Sequence, residues 1–447
     1  MKIIIAGSGE VGYHLAKQLS IEEHDITVID VNATRLERVD STTEVLALNG
    51  SSASIKVLHE AGVEKSDLLI AVTASESINI NTAILAKKLG AKKTIARVAS
   101  GEYTLPENLE MFRSVGIDHM IYPEELAAHE VVKLIERAAA TDVLEFEEGR
   151  LTIIGIRLDS NAPVLRKTMR EAAINYSVEG FRIAAIQRGM RTIIPSGDDV
   201  FLPNDQVFAI TTRSSIEHIL KLAGKENRTF ENVMIFGGGK IGAKAAKLLE
   251  GKVNIKLLET DSTKSQVLAE YLNKTLVIQG DARDIDLLAQ EGIIDMDAFI
   301  AVTNEAETNI ISCLLAKHLG VAKTIALVDN VDYIPLTQTI GLDSLINKKL
   351  IAANDITRFV RKTNIVSVAS LQGVDAEVFE YVAQANSLIT KHKIKDLKLP
   401  KNSLIGGYVR DNEGYIAVGE TQIKSNDKVV VVALPGAIQK IEKYFRR

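Results

Sequence analysis

Short apolar runs alternate along this chain with stretches in which apolar positions recur at helical spacing. Ile3, Ile4, Ile5 and Ala6 read as a buried strand. Val11, Leu15, Ala16 and Leu19 then recur three and four residues apart, which predicts a helix beginning near Gly9. A second strand follows at Ile26 to Ile29 and ends in Asp30. Between the first strand and the helix lie Gly7, Ser8, Gly9, Glu10, Val11 and Gly12, a full G-x-G-x-x-G. Such a hexapeptide alone is a weak signal. Here it follows a strand, opens a helix, and precedes an acid about 20 residues further on, as a dinucleotide-binding β–loop–α–β unit requires.

Each position in that unit has a physical task. Gly7 makes the tight turn, Gly9 lets backbone N–H groups approach a pyrophosphate, and Gly12 lets the helix pack on the strand. The helix start supplies partial positive charge and free N–H donors. Asp30 can accept hydrogen bonds from a ribose diol and disfavours a 2′-phosphate, so NAD(H) is expected in preference to NADP. The alternative is an α/β domain whose glycines serve packing alone.

The whole pattern is written twice. The run from Lys2 to Leu19 returns from Asn232 to Leu249, with Gly7, Gly9 and Gly12 answered by Gly237, Gly239 and Gly242. Asp30 is answered by Glu259, Gly50 by Gly280, and Ile70-Ala71-Val72-Thr73 recurs unchanged as Ile300-Ala301-Val302-Thr303. The segments after these also correspond, Asn204-Asp205 answering Asn426-Asp427 within short alternating strands. The predicted fold is α/β: two tandem Rossmann-like, doubly wound parallel-sheet domains, each followed by a small α+β lobe. The expected boundaries are 1–125, 140–224, 230–350 and 365–447, with a polar link at 224–229. Each large domain ends in an amphipathic helix that either packs on its own sheet or crosses to a neighbouring half or subunit.

Composition changes this picture only by exclusion. A chain of 447 residues, 46% hydrophobic and 25% charged, is an ordinary globular balance for several domains. The net charge of −5 argues against nucleic-acid binding. No apolar run approaches the ~18 residues of a spanning helix, so no direct membrane insertion is expected. The opening residues pass directly into a strand, which gives the expectation of no signal peptide. The single cysteine, Cys313, excludes an internal disulfide and a cysteine-rich metal site, and no metal is expected. These features together predict a cytoplasmic protein.

The paired G-x-G-x-x-G loops, Asp30 and Glu259, the paired Ile-Ala-Val-Thr strands and the Thr94-to-Val98 segment with Arg97 resemble the TrkA family, tandem RCK domains that regulate potassium conductance. The resemblance covers essentially the whole chain, the small lobes more loosely. It implies a regulatory subunit of a potassium uptake system, controlled by NAD(H) and by ATP or ADP as effectors. It also implies a ring-like homo-oligomer, a tetramer, peripheral on the cytoplasmic face of the inner membrane, with a TrkH- or TrkG-type pore subunit as partner.

The candidate binding residues follow from where such sheets present their ligands. In the first half they are Gly7, Ser8, Gly9, Glu10, Val11, Gly12 and Asp30, with Ser51 after the third strand and Thr73 and Ala74 after the fourth. Arg97 ends a later strand and either reaches a phosphate or is an ordinary surface arginine. In the second half they are Gly237, Gly238, Gly239, Lys240, Ile241, Glu259, Asp281 and Thr303. Lys240 stands where the first half has Glu10, and Leu327 where it has Arg97, so the halves need not prefer one nucleotide. ATP or ADP is expected at the second site and NAD(H) at the first. No catalytic residue is predicted, because the eight histidines are scattered and form no donor–acceptor constellation. The rival readings are an NAD-dependent oxidoreductase and a nucleotide-sensing subunit of another cation transporter.

Overall fold

A computed structural model describes residues 1–20, 24–136, 140–175, 180–189, 191–225, 229–330, 333, 340–360, 365–371 and 374–445. The chain forms two compact units, Met1–Ala127 with Asn347–Val360, and Ala128–Ile346 with Arg361–Arg447. Among the described residues, no helix is long and apolar enough to cross a membrane.

The first unit is built on six parallel strands. In chain order its elements are β1 (Lys2–Ala6), α1 (Glu10–Ser20), β2 (Asp25–Asp30), α2 (Ala33–Thr42), β3 (Leu46–Asn49), α3 (Ile55–Glu60), β4 (Leu68–Ala71), α4 (Glu76–Leu89), β5 (Lys93–Arg97), α5 (Pro106–Val115), β6 (His119–Ile121) and α6 (Pro123–Glu136). The sheet order is β3-β2-β1-β4-β5-β6, reversing direction of growth at β1, as in a doubly wound fold. Central strands are apolar at successive positions because both faces are covered; Ile3, Ile4, Ile5, Leu68, Leu69 and Ile70 are all fully buried. Local chemistry sets the helix ends. The Asn32 and Ser75 side chains accept N–H bonds at the starts of α2 and α4, and Gly90 and Gly116 end α4 and α5 at φ 119° and 109°.

The second unit repeats this plan and adds both small lobes. The first small lobe runs β7 (Asp142–Phe146), β8 (Leu151–Arg157), α7 (Met169–Asn175), β9 (Phe181–Arg188), β10 (Arg191–Ile193), β11 (Gln206–Thr211) and α8 (Ile216–Leu222). The second large lobe follows as β12 (Asn232–Phe236), α9 (Lys240–Leu249), β13 (Asn254–Glu259), α10 (Ser262–Tyr271), β14 (Thr275–Gln279), α11 (Ile285–Gln290), β15 (Ala298–Ala301), α12 (Ala306–His318), β16 (Lys323–Leu327) and β17 (Ser344–Ile346). Its sheet order, β14-β13-β12-β15-β16-β17, copies that of the first.

Helix α13 (Lys348–Val360) comes next, then the second small lobe with β18 (Ile365–Ser370), β19 (Glu377–Val382), β20 (Ser403–Arg410), β21 (Glu413–Ile416) and β22 (Lys428–Ala433). The small sheets are antiparallel, ordered β10-β9-β11-β8-β7 and β18-β19-β22-β20-β21. One core cluster joins them, with Ile153, Phe208 and Ile210 of one lobe against Val378, Val430 and Val432 of the other. The recurring Asn-Asp pair acquires its reason here. Asn204 and Asn426 adopt φ 65° and 71°, a turn that asparagine tolerates. The buried Asp205 and Asp427 each grip an arginine, Arg188 or Arg410, through two bonds of 2.6–2.8 Å.

The fate of the helices leaving the large sheets was open from the sequence. Helix α13 follows β17 of the second half yet belongs to the first unit. Ala352, Ala353 and Ile356 are buried in one cluster with Val11, Leu15, Ala16 and Leu19 of α1. Alanines at 352 and 353 let the two helix backbones approach closely. Thr357 donates to the Gln18 side chain at 3.3 Å, His119 meets Asp355 at 2.9 Å, and the Phe359 ring stacks on His119 at 4.9 Å between centroids. Conversely, α6 passes into the second unit from Ala128 onward, where Glu136 pairs with Lys252 at 2.8 Å.

Packing of this kind makes a clear stability prediction. Ile356 is fully buried, so Ile356→Ala should cost about 2–5 kcal/mol, the usual range for emptying such a site. Denaturant titration should show earlier loss of the unit that contains Met1–Ala127, although Ile356 lies more than half the chain away in sequence. An unchanged unfolding midpoint would show that α13 does not support the first lobe.

Candidate nucleotide site

The site in the first unit lies at the C-terminal ends of β1, β2, β4 and β5, where the two arms of the sheet diverge. Its three glycines answer three different constraints. Gly7 sits at φ +108°, and a Cβ on it would lie 2.9 Å from the Thr73 backbone nitrogen. A Cβ on Gly12 would fall 1.8 Å from the Gly7 carbonyl oxygen, so the helix approaches the strand as closely as the backbone allows. A Cβ on Gly9 would meet nothing within 4 Å. Gly9 therefore opens the loop toward the cleft, beside the N–H groups of the first turn of α1, which form a ready-made anion seat. The second half repeats the arrangement. Gly237 has φ +104°, a Cβ on Gly242 would fall 1.9 Å from the Gly237 oxygen, and Gly239 is open.

Asp30 braces this loop. Its carboxylate accepts from the Ser8 N–H at 2.6 Å and from the Asn32 N–H at 2.9 Å. Burial alone would raise its pKa, but those bonds hold it below the ordinary aspartate value, so it is charged at neutral pH. Each carboxylate oxygen keeps a further lone pair. Glu259 braces the second loop by the same bonds, accepting from Gly238 N–H at 2.9 Å and Asp261 N–H at 3.0 Å. Glycine at 238 leaves room there: a Cβ would lie 2.2 Å from Leu268 Cδ1 and 3.1 Å from Glu259 Oε2.

The structure brings most of the predicted first-half residues into one cleft. Gly7, Gly9, Glu10, Val11, Asp30 and Ser51 line it from the arm of β1, β2 and β3, and Thr73, Ala74 and Arg97 from that of β4 and β5. Ser8 and Gly12 do not line it; Ser8 is buried with its N–H on Asp30, and Gly12 serves the packing beneath. In the second half, Gly237–Gly239, Lys240, Ile241, Glu259, Asp281 and Thr303 occupy the corresponding strand and helix ends. Leu327 ends β16 where Arg97 ends β5, and it is buried.

Several residues with evident roles were not singled out from the sequence. Asn79, fully enclosed on α4, accepts from the Thr73 N–H and hydroxyl and donates to the Thr73 and Arg97 carbonyls. Asn309 makes the same four bonds to Thr303 and Leu327. These amides tie the fourth and fifth strand ends together and hold Thr73 and Thr303 in place. Arg35 lines the first cleft from α2, and Lys348 and Lys349 line it from α13. Arg35 lies five residues after Asp30 and was within reach of a local reading. The lysines carry no such local signal, because they lie in the other half of the chain.

Charge at the loops also differs from a residue-by-residue comparison. Glu10 is paired with Arg38 at 3.0 Å, and Arg38 lies 4.2 Å from the centre of the Tyr13 ring. The anion at the start of α1 is thus largely compensated. Asp281 is gripped by Arg283, whose Nη2 donates at 2.6 Å, and this bond chiefly lowers its pKa. The second half thereby gains an arginine at the third strand end while losing the one at the fifth. Cys313 is buried, with its thiol near the Ile325 carbonyl at 3.5 Å; burial pushes its pKa up, which suits packing and not nucleophilic chemistry.

The chain matches the TrkA-N domain family over residues 3–123 and 233–348, and the TrkA-C domain family over 153–224 and 378–446. It is 35% identical over 447 residues to the "Trk system potassium uptake protein TrkA homolog" of Archaeoglobus fulgidus, covering 100% of both chains. It is also 35% identical to the Trk system potassium uptake protein TrkA of Vibrio alginolyticus, covering 96% of this chain and 95% of that one. Among solved structures, the GsuK channel bound to NAD superposes with a TM-score of 0.60 at 19% identity, covering 99% of this chain and 78% of that one, a likeness of fold. Full-length identity and the doubled TrkA-N and TrkA-C pattern together place the chain in the TrkA family of Trk potassium uptake proteins.

Proposed function

We propose that the chain is a nucleotide-sensing regulatory subunit of a potassium uptake system. Its large lobes bind NAD(H), ATP or ADP as effectors, and the occupied protein gates a membrane potassium pore subunit of the TrkH or TrkG type. It works on the cytoplasmic face of the membrane as a ring-like homo-oligomer, a tetramer. The observation that carries this reading is the glycine loop: Gly9 and Gly239 each open toward the helix N-terminus beside an acidic side chain that braces the loop. The family supports the transport context, since relatives matched along their whole length are named as Trk potassium uptake proteins. The ligand classes are supported by solved structures of the same fold described as bound to NAD and, at a TM-score of 0.50, to ADP.

Within this reading the nucleotide is an effector and is not consumed. It shifts a conformational equilibrium only as far as it binds one state more tightly. A ratio of ~100 in affinity is worth about 2.7 kcal/mol, within the usual range of allosteric coupling. Asp30 and Glu259 accept from the ribose hydroxyls while keeping the loop N–H groups aligned. The loop N–H groups and Arg97 meet the phosphates at the first site. Lys240 and Arg283 supply the cations at the second.

The two open glycines provide the cleanest separation of the sites. Gly9→Asp should abolish nucleotide binding at the first half and leave the second intact, and Gly239→Asp should do the reverse, with little change in folding because a Cβ is tolerated at either position. Calorimetry on the full chain tests this, and persistence of both binding events in either variant contradicts the assignment. Asp30→Ala should weaken NADH at the first site by about 1–3 kcal/mol through lost bonds to a charged group. Equal affinity in variant and parent would remove Asp30 from the ribose site. Incubation with NADH and a panel of oxo acids, aldehydes and quinones should leave the reduced-nicotinamide absorbance constant. Steady oxidation that scales with protein and vanishes in Gly9→Asp would make the chain a dehydrogenase instead.

A further inference from the structure

The first cleft contains a contribution that the first half does not encode. Helix α13 begins at the cleft, and Lys348 and Lys349 of its first turn line it alongside Arg97 and Arg35. The start of the helix is held firmly. The buried Asn347 side chain accepts from the Lys349 and Leu350 N–H groups, both at 3.0 Å, and Ala352, Ala353 and Ile356 anchor the next turns on α1. The helix N–H donors are thus capped by the protein itself, and what α13 adds to the cleft is lysine side chains. Of the carboxylates lining the cleft, Glu10 is already paired with Arg38 and Asp30 keeps its charge, facing the cations of Arg35, Arg97, Lys348 and Lys349. The corresponding positions of α6 are Pro123 and Glu124, so the two halves place opposite chemistry at the same helix positions.

We propose that Lys348 and Lys349 make the first site a receptor for the β- and γ-phosphates of a nucleoside polyphosphate. The second half of the chain thus sets the nucleotide specificity of the first. This rests on the reading of the cleft as a nucleotide site and goes beyond it by assigning the discriminating residues. A triphosphate carries more charge than the pyrophosphate of a nicotinamide dinucleotide, so cations beyond those holding the pyrophosphate favour ATP over NADH. Glu10 in place of Lys240 by itself favours NAD(H) at the first site, and the lysines of α13, contributed by the other half of the chain, reverse that preference.

The test uses the full chain with Gly239→Asp to silence the second site, titrated calorimetrically with ATP, ADP, AMP and NADH. The parent should bind ATP more tightly than ADP, and ADP more tightly than AMP. Lys348→Gln with Lys349→Gln should weaken ATP about 10- to 100-fold and NADH less than about threefold, and should reduce the salt dependence of ATP binding. Lys348→Arg with Lys349→Arg should restore most of the ATP affinity, which a purely structural role at the helix start would not require. An equal loss for every ligand, or no loss for ATP, overturns the proposal. If the parent binds NADH but holds ATP no better than AMP, the specificity assignment fails while the nucleotide site stands. If it binds none of the four, the nucleotide reading of this cleft fails and takes the assignment with it.

Discussion

The contact of α13 with α1 is the constraint on which the first unit depends. Helix α1 carries the glycine loop at its start and an apolar stripe of Val11, Leu15 and Leu19 along its length. That stripe has to be covered, and Ala352, Ala353 and Ile356 share its core. The polar contacts at the edge, Gln18 with Thr357 and His119 with Asp355, set the helix register. Because the same helix starts at the cleft, the packing that stabilises the first lobe also fixes where Lys348 and Lys349 stand. The cover over α1 and the two lysines at the cleft are properties of one element, supplied from the far half of the chain.

Much of this was legible in the sequence, because the relevant signals are local and doubled. A strand, three glycines at fixed spacing and an acid after the next strand are constraints of backbone geometry. The structure gives each glycine a separate reason, down to the carbonyl of Gly7 beneath Gly12. The doubly wound parallel sheets and the small α+β lobes likewise followed from periodicity and repetition, while the strand order and the antiparallel pairing came from the structure. What could not be read was pairing across distance. The amphipathic pattern of α13 shows that it has an apolar face and not which helix will cover it. Asn79 looks like any polar helix residue until the ends of β4 and β5 stand side by side, when its amide bonds both. Glu10 looks like a repulsive charge until Arg38, on another helix, is found against it.

The same geometry bears on control. A ligand that binds only the folded first unit stabilises it by an amount that grows with occupancy, about 2.7 kcal/mol at a hundred times its dissociation constant. Part of that stabilisation falls on α13 if its lysines share the phosphates. Helix α13 precedes the second small lobe in sequence. A regulatory protein needs a ligand to favour one arrangement of its parts, and a site completed by a segment from elsewhere in the chain provides that dependence.

Hydrogen exchange of the backbone amides of α13 tests this account most directly. With saturating ATP, amides from residue 351 to residue 357 should exchange measurably more slowly than in the ligand-free protein, and the Gly9→Asp variant should show no such protection. Nucleotide binding that slows exchange around the Gly7–Gly12 loop while leaving α13 unchanged would contradict it.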